Sequence, residues 1–499
     1  MTGRQLARWL PAVGVGLIAF AAARLAMLPG YAFWDTGELQ AVAPLMGTGH
    51  APGFPTYTLL GWFVSIVLQP LGDPAFRMNL FAGLCLAVAV AVVVDLARVL
   101  SGSTAMGIVA GLGLTFTAWW IGTHAETHAL HLALLAILFR VLVAWEDGRS
   151  DRTLLAAAFV YGVAVANHSL MLLLIPAIGL FIVAVEPRIV RRGRLVATCL
   201  AVVVATTGLI YTELPLRAGP FRAPLVYGTP NTWDGFLYVV LASQFQSDLS
   251  GPLTDLGLKL AGLVQRTVTA FGPLAPLLPI AFVATALRRP RYALLSGVAL
   301  LTTLLFAMSY TNGEIGRYYL GPMLIAWTWV AILGGVATDA LARGAARLGQ
   351  GADLRPFVAV PLATILLVPT ALAIPGRYQS VDRTQDRAAE RWVDHVLAAM
   401  PPGSVIVSWW SYSTPLWYAQ LVEGRRPDIA IIDDRTRLDE RLGGITDVID
   451  ANLPNHPVFV IRADPREVQL LADRYVLDYL DGPDASMLTR VVERRGAGA

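Results

Sequence analysis

Read from its amino terminus, the chain alternates long apolar runs with short polar breaks. Runs long enough to cross a hydrocarbon core of about 30 Å fall near residues 9–28, 76–97, 104–122, 128–145, 153–169, 170–186, 195–213, 268–287, 292–310, 318–337 and 356–375. The pattern therefore predicts about eleven transmembrane helices. The segment from Gly53 to Leu71 is also apolar, but prolines interrupt it, and it reads as a helix dipping into the membrane interface. From Arg377 onward the period changes. A helical stretch over Thr384–Met400, strands over Ser404–Trp409 and Asp428–Ile432, a polar helix near Leu438–Ala451 and a strand over Pro457–Arg462 alternate in the α/β manner. The expected division is a membrane domain over residues 1–376 and a small soluble α/β domain over 377–499.

The polar breaks carry arginine in alternate loops: Arg4 and Arg8, Arg98, Arg149 and Arg152, the run from Arg188 to Arg194, Arg288, Arg289 and Arg291, then Arg343, Arg347 and Arg355. By the positive-inside bias those loops are cytoplasmic. An odd number of spans then places five features on the extracytoplasmic side. They are the loop around Asp35, the turn His124–His128, the loop from Tyr211 to about Arg266, the loop Asn312–Arg317 and the C-terminus.

Composition agrees with this reading. Of 499 residues 56% are hydrophobic and 15% charged, with a mean hydropathy of +0.58, which excludes an ordinary soluble enzyme. The formal charge of +3 is too small and too scattered for a nucleic-acid surface. Cys85 and Cys199 lie inside apolar runs, so no disulfide framework or cysteine metal site is encoded. The first apolar run has a basic flank and no small-residue cleavage site, and is expected to be a retained helix rather than a cleaved signal. An arginine-rich, lysine-poor composition without a retention signal suits a bacterial inner membrane.

Candidate chemistry gathers on the predicted outer face. Trp34-Asp35-Thr36-Gly37-Glu38 follows the first span and leads into His50-Ala51-Pro52-Gly53-Phe54-Pro55. At helical spacing Asp35 and Glu38 share one face, and ionisable groups where a chain leaves the bilayer mark a candidate functional site. A solvated loop is the alternative. Glu126 lies between His124 and His128, whose i, i+4 spacing suggests a metal pair, but HExxH is absent and the residues read as a polar pocket without metal. His168 falls at the same depth as a structural histidine or a substrate contact. Arg317, followed by Tyr318, stands on the outer side against the arginine bias. It is a candidate for a lipid phosphate or a snorkelling cation. Arg217, in Leu214-Pro215-Leu216-Arg217-Ala218, is a further candidate substrate contact or a plain loop charge. There is no Walker A sequence and no GxGxxG between strand and helix, so a substrate delivered within the membrane is expected.

These pieces, in order, resemble one family. The Asp-Thr-Gly-Glu and His-Ala-Pro-Gly-Phe-Pro segments, Arg77-Met78-Asn79-Leu80, Ala125-Glu126-Thr127-His128-Ala129-Leu130, Gly162 with Asn167-His168, and Leu-Pro-Leu-Arg-Ala are similar to the protein O-mannosyltransferase-like membrane family. The resemblance covers residues 1–240, and more loosely Arg317-Tyr318 and Trp409–Tyr418. It implies a GT-C glycosyltransferase fold, a catalytic acid in the first external loop and a polyprenyl-phosphate sugar donor. Asp35 falls at the catalytic position, with Glu38 beside it. The chain departs from the family pattern at Ala51, where a proline usually follows the histidine, and at Thr127-His128, where Val-Tyr is usual.

Such a reaction suits these residues. A lipid phosphate leaves as an acidic group, the attacking hydroxyl needs a base, and the phosphate needs positive charge. The expectation is an inverting transfer of a sugar, mannose by family analogy, to an acceptor hydroxyl such as Ser/Thr of an exported protein or a glycan. Asp35 is the base, Glu38 the orienting group and Arg317 the phosphate ligand, with His50, Glu126, His128, His168, Arg217 and Tyr318 lining donor and acceptor. No cofactor is expected. A transporter or lipid flippase is the alternative, for which inverted repeats and midplane broken helices would be the mark.

Overall fold

The computed structural model describes residues 3–311, 313–346, 354–480 and 487–496, with the side chains of 3–8 and of 346 excepted. The Arg4 and Arg8 side chains, Asn312 and Arg347 lie outside the described residues. The chain divides into two compact units. The first comprises Met1–Met27, Ala82–Tyr211 and Gln244–Asp382; the second comprises Leu28–Phe81, Thr212–Ser243 and Arg383–Ala499.

The first unit is helical. Each apolar run expected from the sequence falls on a helix. Among the described residues seven helices are long and apolar enough to cross a membrane: Pro74–Ser101, Thr127–Gly148, Gly193–Ala218, Leu256–Arg288, Pro290–Ser309, Ile315–Ala345 and Arg355–Val381. Shorter apolar helices are Trp9–Leu25, Thr104–Thr117 and Ser169–Val185, and Pro55–Val67 belongs to the second unit. Small residues let these helices approach closely. A Cβ at Gly113 would stand 2.5 Å from three ring atoms of Trp327, which is fully buried and donates its indole N–H to Thr117 Oγ1 at 3.1 Å.

The arginines read as topology signals also hold helix ends together. Asp95 is buried between Arg98 and Arg140, the latter at 2.6 Å. Asp339 pairs with Arg288 at 2.6 Å and with Arg355. Arg289 donates to the carbonyls of Leu100 and Val99 at 3.2 and 3.1 Å, satisfying the open C-terminal end of Pro74–Ser101.

The second unit is built on a five-stranded sheet in the order β2-β1-β3-β5-β4, where β1 is Val405–Ser408, β2 Ala430–Ile432, β3 Val458–Ile461, β4 Tyr475–Tyr479 and β5 Leu488–Arg494. Strands β1, β2 and β3 run parallel, with Ile406 beside Ile431 and Phe459; β5 returns antiparallel to β3, and β4 antiparallel to β5. Strands β1 and β3 are apolar on both faces because both faces are covered, while the edge strand β2 is only partly buried. Ile406 and Phe459 face a core with Trp392, Val393 and Val396 of the helix Ala388–Ala399, while Val405, Val407, Val458 and Val460 face Ile449 and Leu471. The three parallel strands and the helix before them lie where the sequence placed them. The β4–β5 hairpin was not expected, since its Val476/Leu477 irregularity breaks the alternation that marks a strand.

The acidic helix Trp34–Leu45 joins the core around Trp392 and Phe459 through Ala41 and Val42. Its Gln40 accepts from the backbone N–H of Ala32 at 2.9 Å and donates to Gly30 O at 3.0 Å and Asn79 Oδ1 at 2.9 Å, tying down the approach to the helix.

Close helix packing makes a local prediction. Gly113→Ala should destabilise the protein by about 1–3 kcal/mol through overpacking, seen as a lower midpoint of thermal unfolding in detergent. Gly179→Ala, where an added Cβ meets nothing within 4 Å, should be neutral or gain up to about 1 kcal/mol in helix propensity.

Candidate functional site

In the second unit the expected acid pair sits in the first turn of Trp34–Leu45. Trp34 enters the helix at a φ of 62°, a left-handed conformation that costs a bulky side chain about 1–3 kcal/mol and clusters at functional sites. Gly37, between the acids, has no room for a side chain: a Cβ would fall 2.1 Å from Ala32 O and 2.9 Å from Thr414 Oγ1. Asp35 is half-buried and Glu38 is 1% exposed. The two carboxylates thus occupy different environments, although i, i+3 spacing places them on one helix face.

Both Glu38 oxygens are engaged by His50. Oε1 accepts its backbone N–H at 2.7 Å, and Oε2 meets Nδ1. The imidazole is ringed edge-on by Phe54, Trp410 and Tyr227 at centroid distances of 5.1, 5.6 and 6.2 Å. Tyr227 is held through its backbone by Thr48, whose Oγ1 accepts at 2.6 Å, and Arg435 lies 4.3 Å over its ring. Trp34 and Trp409 pack edge to face at 5.4 Å. Arg217 has a structural task here: it donates to Met46 O at 2.6 Å and Leu45 O at 3.2 Å, closing the C-terminal end of the acidic helix.

In the first unit Glu126 caps the helix Thr127–Gly148. Its Oε1 accepts from the backbone N–H of His128 at 3.2 Å and lies 2.9 Å from His128 Nδ1, and its Oε2 is 3.0 Å from Arg317 Nε. Glu314 pairs with Arg317 from the exposed side. Burial works to raise the Glu126 carboxyl, but the Arg317 guanidinium and the His128 hydrogen bond outweigh it and hold it well below the usual carboxylate range. The His128 ring stands 4.6 Å from His168 and 5.5 Å from Tyr318. His168 Nδ1 also accepts the backbone N–H of Leu170 at 3.1 Å. His131, which sequence reasoning missed, joins this group 5.8 Å from His168; the signal was its place one turn beyond His128 on the same helix.

Arg317, Tyr318 and His131 open onto a pocket otherwise walled by Leu135, Leu170, Leu174, Thr303, Gly321 and Ile325. The metal-like i, i+4 pairing of His124 with His128 is not realised, because the helix begins only at Thr127 and His124 precedes it, bonded to Thr123 Oγ1 at 3.1 Å. Among the described residues no group of three or more His, Cys, Asp or Glu is arranged to hold a metal ion.

A bundle of apolar helices, an acidic helix after the first of them and a small α/β sheet together define a membrane protein of the GT-C glycosyltransferase fold. Solved structures share it at low identity. Apo ArnT from Cupriavidus metallidurans superimposes with a TM-score of 0.57 over 96% of both chains at 14% identity. The archaeal oligosaccharyltransferase AglB from Archaeoglobus fulgidus, solved with an inhibitory peptide and a dolichol-phosphate, gives 0.54 over 90% of this chain and 69% of its own at 12% identity.

At the level of sequence, residues 35–189 are similar to the family described as Protein O-mannosyl-transferase TMEM260 N-terminal domain, a match that begins at Asp35 itself. Protein O-mannosyl-transferase TMEM260 of Mus musculus is 26% identical over 432 residues, which is 81% of this chain. The aligned region spans 59% of that relative's length.

Removing one half of a buried ion pair costs more than removing both. Glu126→Ala should therefore lower stability by about 3–5 kcal/mol. The double variant Glu126→Ala/Arg317→Met should recover part of the loss, read from unfolding midpoints at neutral pH.

Proposed function

We propose that this protein is an integral-membrane glycosyltransferase that moves a sugar, mannose by analogy with its relatives, from a polyprenyl-phosphate donor to a hydroxyl of an exported protein. The observation that carries the reading is the acidic helix. A family named for protein O-mannosyl transfer begins its match at Asp35, and Asp35 stands half-buried beside a strained backbone while the neighbouring acid is fully engaged.

In this reaction the acceptor oxygen attacks the anomeric carbon, the bond to the phosphate oxygen breaks with its electron pair leaving on phosphate, and Asp35 takes the acceptor proton. Attack opposite the phosphate inverts the anomeric centre. Little acid assistance is needed, because phosphate is a good leaving group; charge compensation matters more.

Arg317 supplies that charge. A guanidinium in the wall of a pocket lined otherwise by leucines and an isoleucine suits a phosphate with a lipid tail. Its partner Glu314 has a side chain 60% exposed, so a phosphate can displace it, while buried Glu126 keeps the guanidinium aimed. Tyr318 and His131 add polar lining to that pocket, and His128 and His168 pack against their rings. No cofactor is assigned in this scheme. The arginine alternation supports an extracytoplasmic site, with the sheet-bearing region on the same side, and the arginine-rich, lysine-poor composition suits a bacterial inner membrane.

Purified protein in liposomes, supplied with polyprenyl-phosphate mannose and a Ser/Thr peptide, should form glycopeptide; no donor-dependent product would overturn the reading. Asp35→Asn should reduce turnover by about 10²–10⁴-fold with membrane insertion and donor binding retained. Near-normal turnover of this variant would remove Asp35 from the base position. Arg317→Ala should weaken donor use more than Arg317→Lys, since charge is needed first and fork geometry second. Donor affinity equal to wild type in both variants would make Arg317 structural.

A further inference from the structure

One histidine of the first unit is left without a task by the contacts around it. His131 is 7% exposed, its Nδ1 is buried without a hydrogen-bond partner, and it lines the same pocket as Arg317. Its neighbours differ. His128 Nδ1 lies 2.9 Å from Glu126 Oε1, and His168 Nδ1 accepts the backbone N–H of Leu170 at 3.1 Å. The wall around His131 is largely apolar, with Leu135, Leu170, Leu174 and Ile325. An unpaired polar group in such a wall calls for a partner that arrives with a ligand.

Charge narrows the ligand. Among the described residues of the wall Arg317 is the one permanent cation, and Thr303 donates its hydroxyl to Ala299 O at 2.8 Å. The ionisable groups around His131 are His128 and His168, with ring centroids at 6.3 and 5.8 Å, then Tyr318 and Arg317 in the wall. Behind Arg317 stand Glu126, 3.0 Å from its Nε, and the exposed Glu314. A phosphodiester brings one negative charge, which the guanidinium matches. A phosphate monoester carries a second above about pH 6. In an apolar cavity that second charge has no cation to meet it, so the monoester enters with a proton on one oxygen. A neutral imidazole offers a lone pair that accepts such a P–O–H, and a diester has no P–O–H to give.

We propose that His131 is a specificity residue that recognises the P–O–H of a lipid phosphate monoester bound as its monoanion, with Arg317 taking the charge. The lipid-phosphate reading of the pocket rests on the proposed function; the assignment of His131 and the preference for monoester over diester go beyond it. In that scheme the diester is the sugar donor and the monoester is the lipid product. The proton comes from solvent, and no bond to phosphorus changes on binding: dianion and proton give the bound monoanion. His131 thus favours the lipid phosphate left after transfer over the donor that precedes it.

Titration calorimetry on the purified protein in a maltoside detergent tests this with decyl phosphate, its methyl diester and inorganic phosphate. At about pH 8 the free monoester is a dianion, since its second ionisation lies at about pH 6. Measured in two buffers of unlike ionisation enthalpy, binding should take up close to one proton per decyl phosphate and none per methyl diester. His131→Phe keeps a ring in the apolar wall and removes the acceptor. It should weaken decyl phosphate about tenfold and leave the diester affinity unchanged.

Decyl phosphate bound by the wild type without proton uptake overturns the assignment, and so does an unchanged decyl phosphate affinity in His131→Phe or an equal loss for both esters. Inorganic phosphate separates the sources: binding as tight as decyl phosphate makes this a free-phosphate site and overturns the lipid assignment. If the wild type binds neither ester, the lipid-phosphate reading of the pocket fails and takes this inference with it. If it binds both and only the His131 results fail, the reading of the pocket stands and this inference alone is lost.

Discussion

Buried carboxylates set the terms for this protein. Taking an ionised carboxylate out of water costs several kcal/mol unless a cation or a set of donors replaces the lost hydration, and each unit meets that demand at fixed points. Asp95 has Arg98 and Arg140, Asp339 has Arg288 and Arg355, Glu126 has Arg317 and His128, and Glu38 has His50. The first two tie helix ends together. The other two fix an arginine and a histidine in aromatic or apolar surroundings, where a substrate group would meet little competition from water.

The segment around Asp35 is held by features with no chemistry of their own. Gln40 and Asn79 tie the chain that enters the helix, Arg217 closes its C-terminal carbonyls, and Gly37 lets the backbone of Ala32 approach. With both ends fixed, the unfavourable φ at Trp34 can persist. Asp35 is therefore presented by a helix whose position is overdetermined, which its proposed role as proton acceptor needs, since a displacement of about 1 Å can cost 10²-fold in rate.

The histidine, tyrosine and arginine group of the first unit follows the same logic with opposite charge. Glu126 caps a helix and pairs with Arg317, so one carboxylate orients both the start of a span and the cation at its pocket. Local helix formation and placement of the candidate phosphate ligand are thereby linked: a change that loosens the cap also moves the guanidinium.

By itself the sequence determined the apolar helices, the parallel strands and the position of the acidic motif, because hydrophobic period and arginine bias are local properties that a linear chain displays. The order of its motifs also carried the resemblance to the protein O-mannosyltransferase-like family, whose model matches residues 35–189. Tertiary structure alone decided what each polar residue does. Glu38 and His50 are twelve residues apart and Arg317 and Glu126 nearly two hundred, and no spacing rule relates such pairs. Arg217 read as a substrate contact or a plain loop charge, not as the partner of the Leu45 and Met46 carbonyls, and His131 carried no signal beyond its place one turn past His128. The orientation and partner of a buried polar group are set by which surfaces meet on folding, and that information is nonlocal.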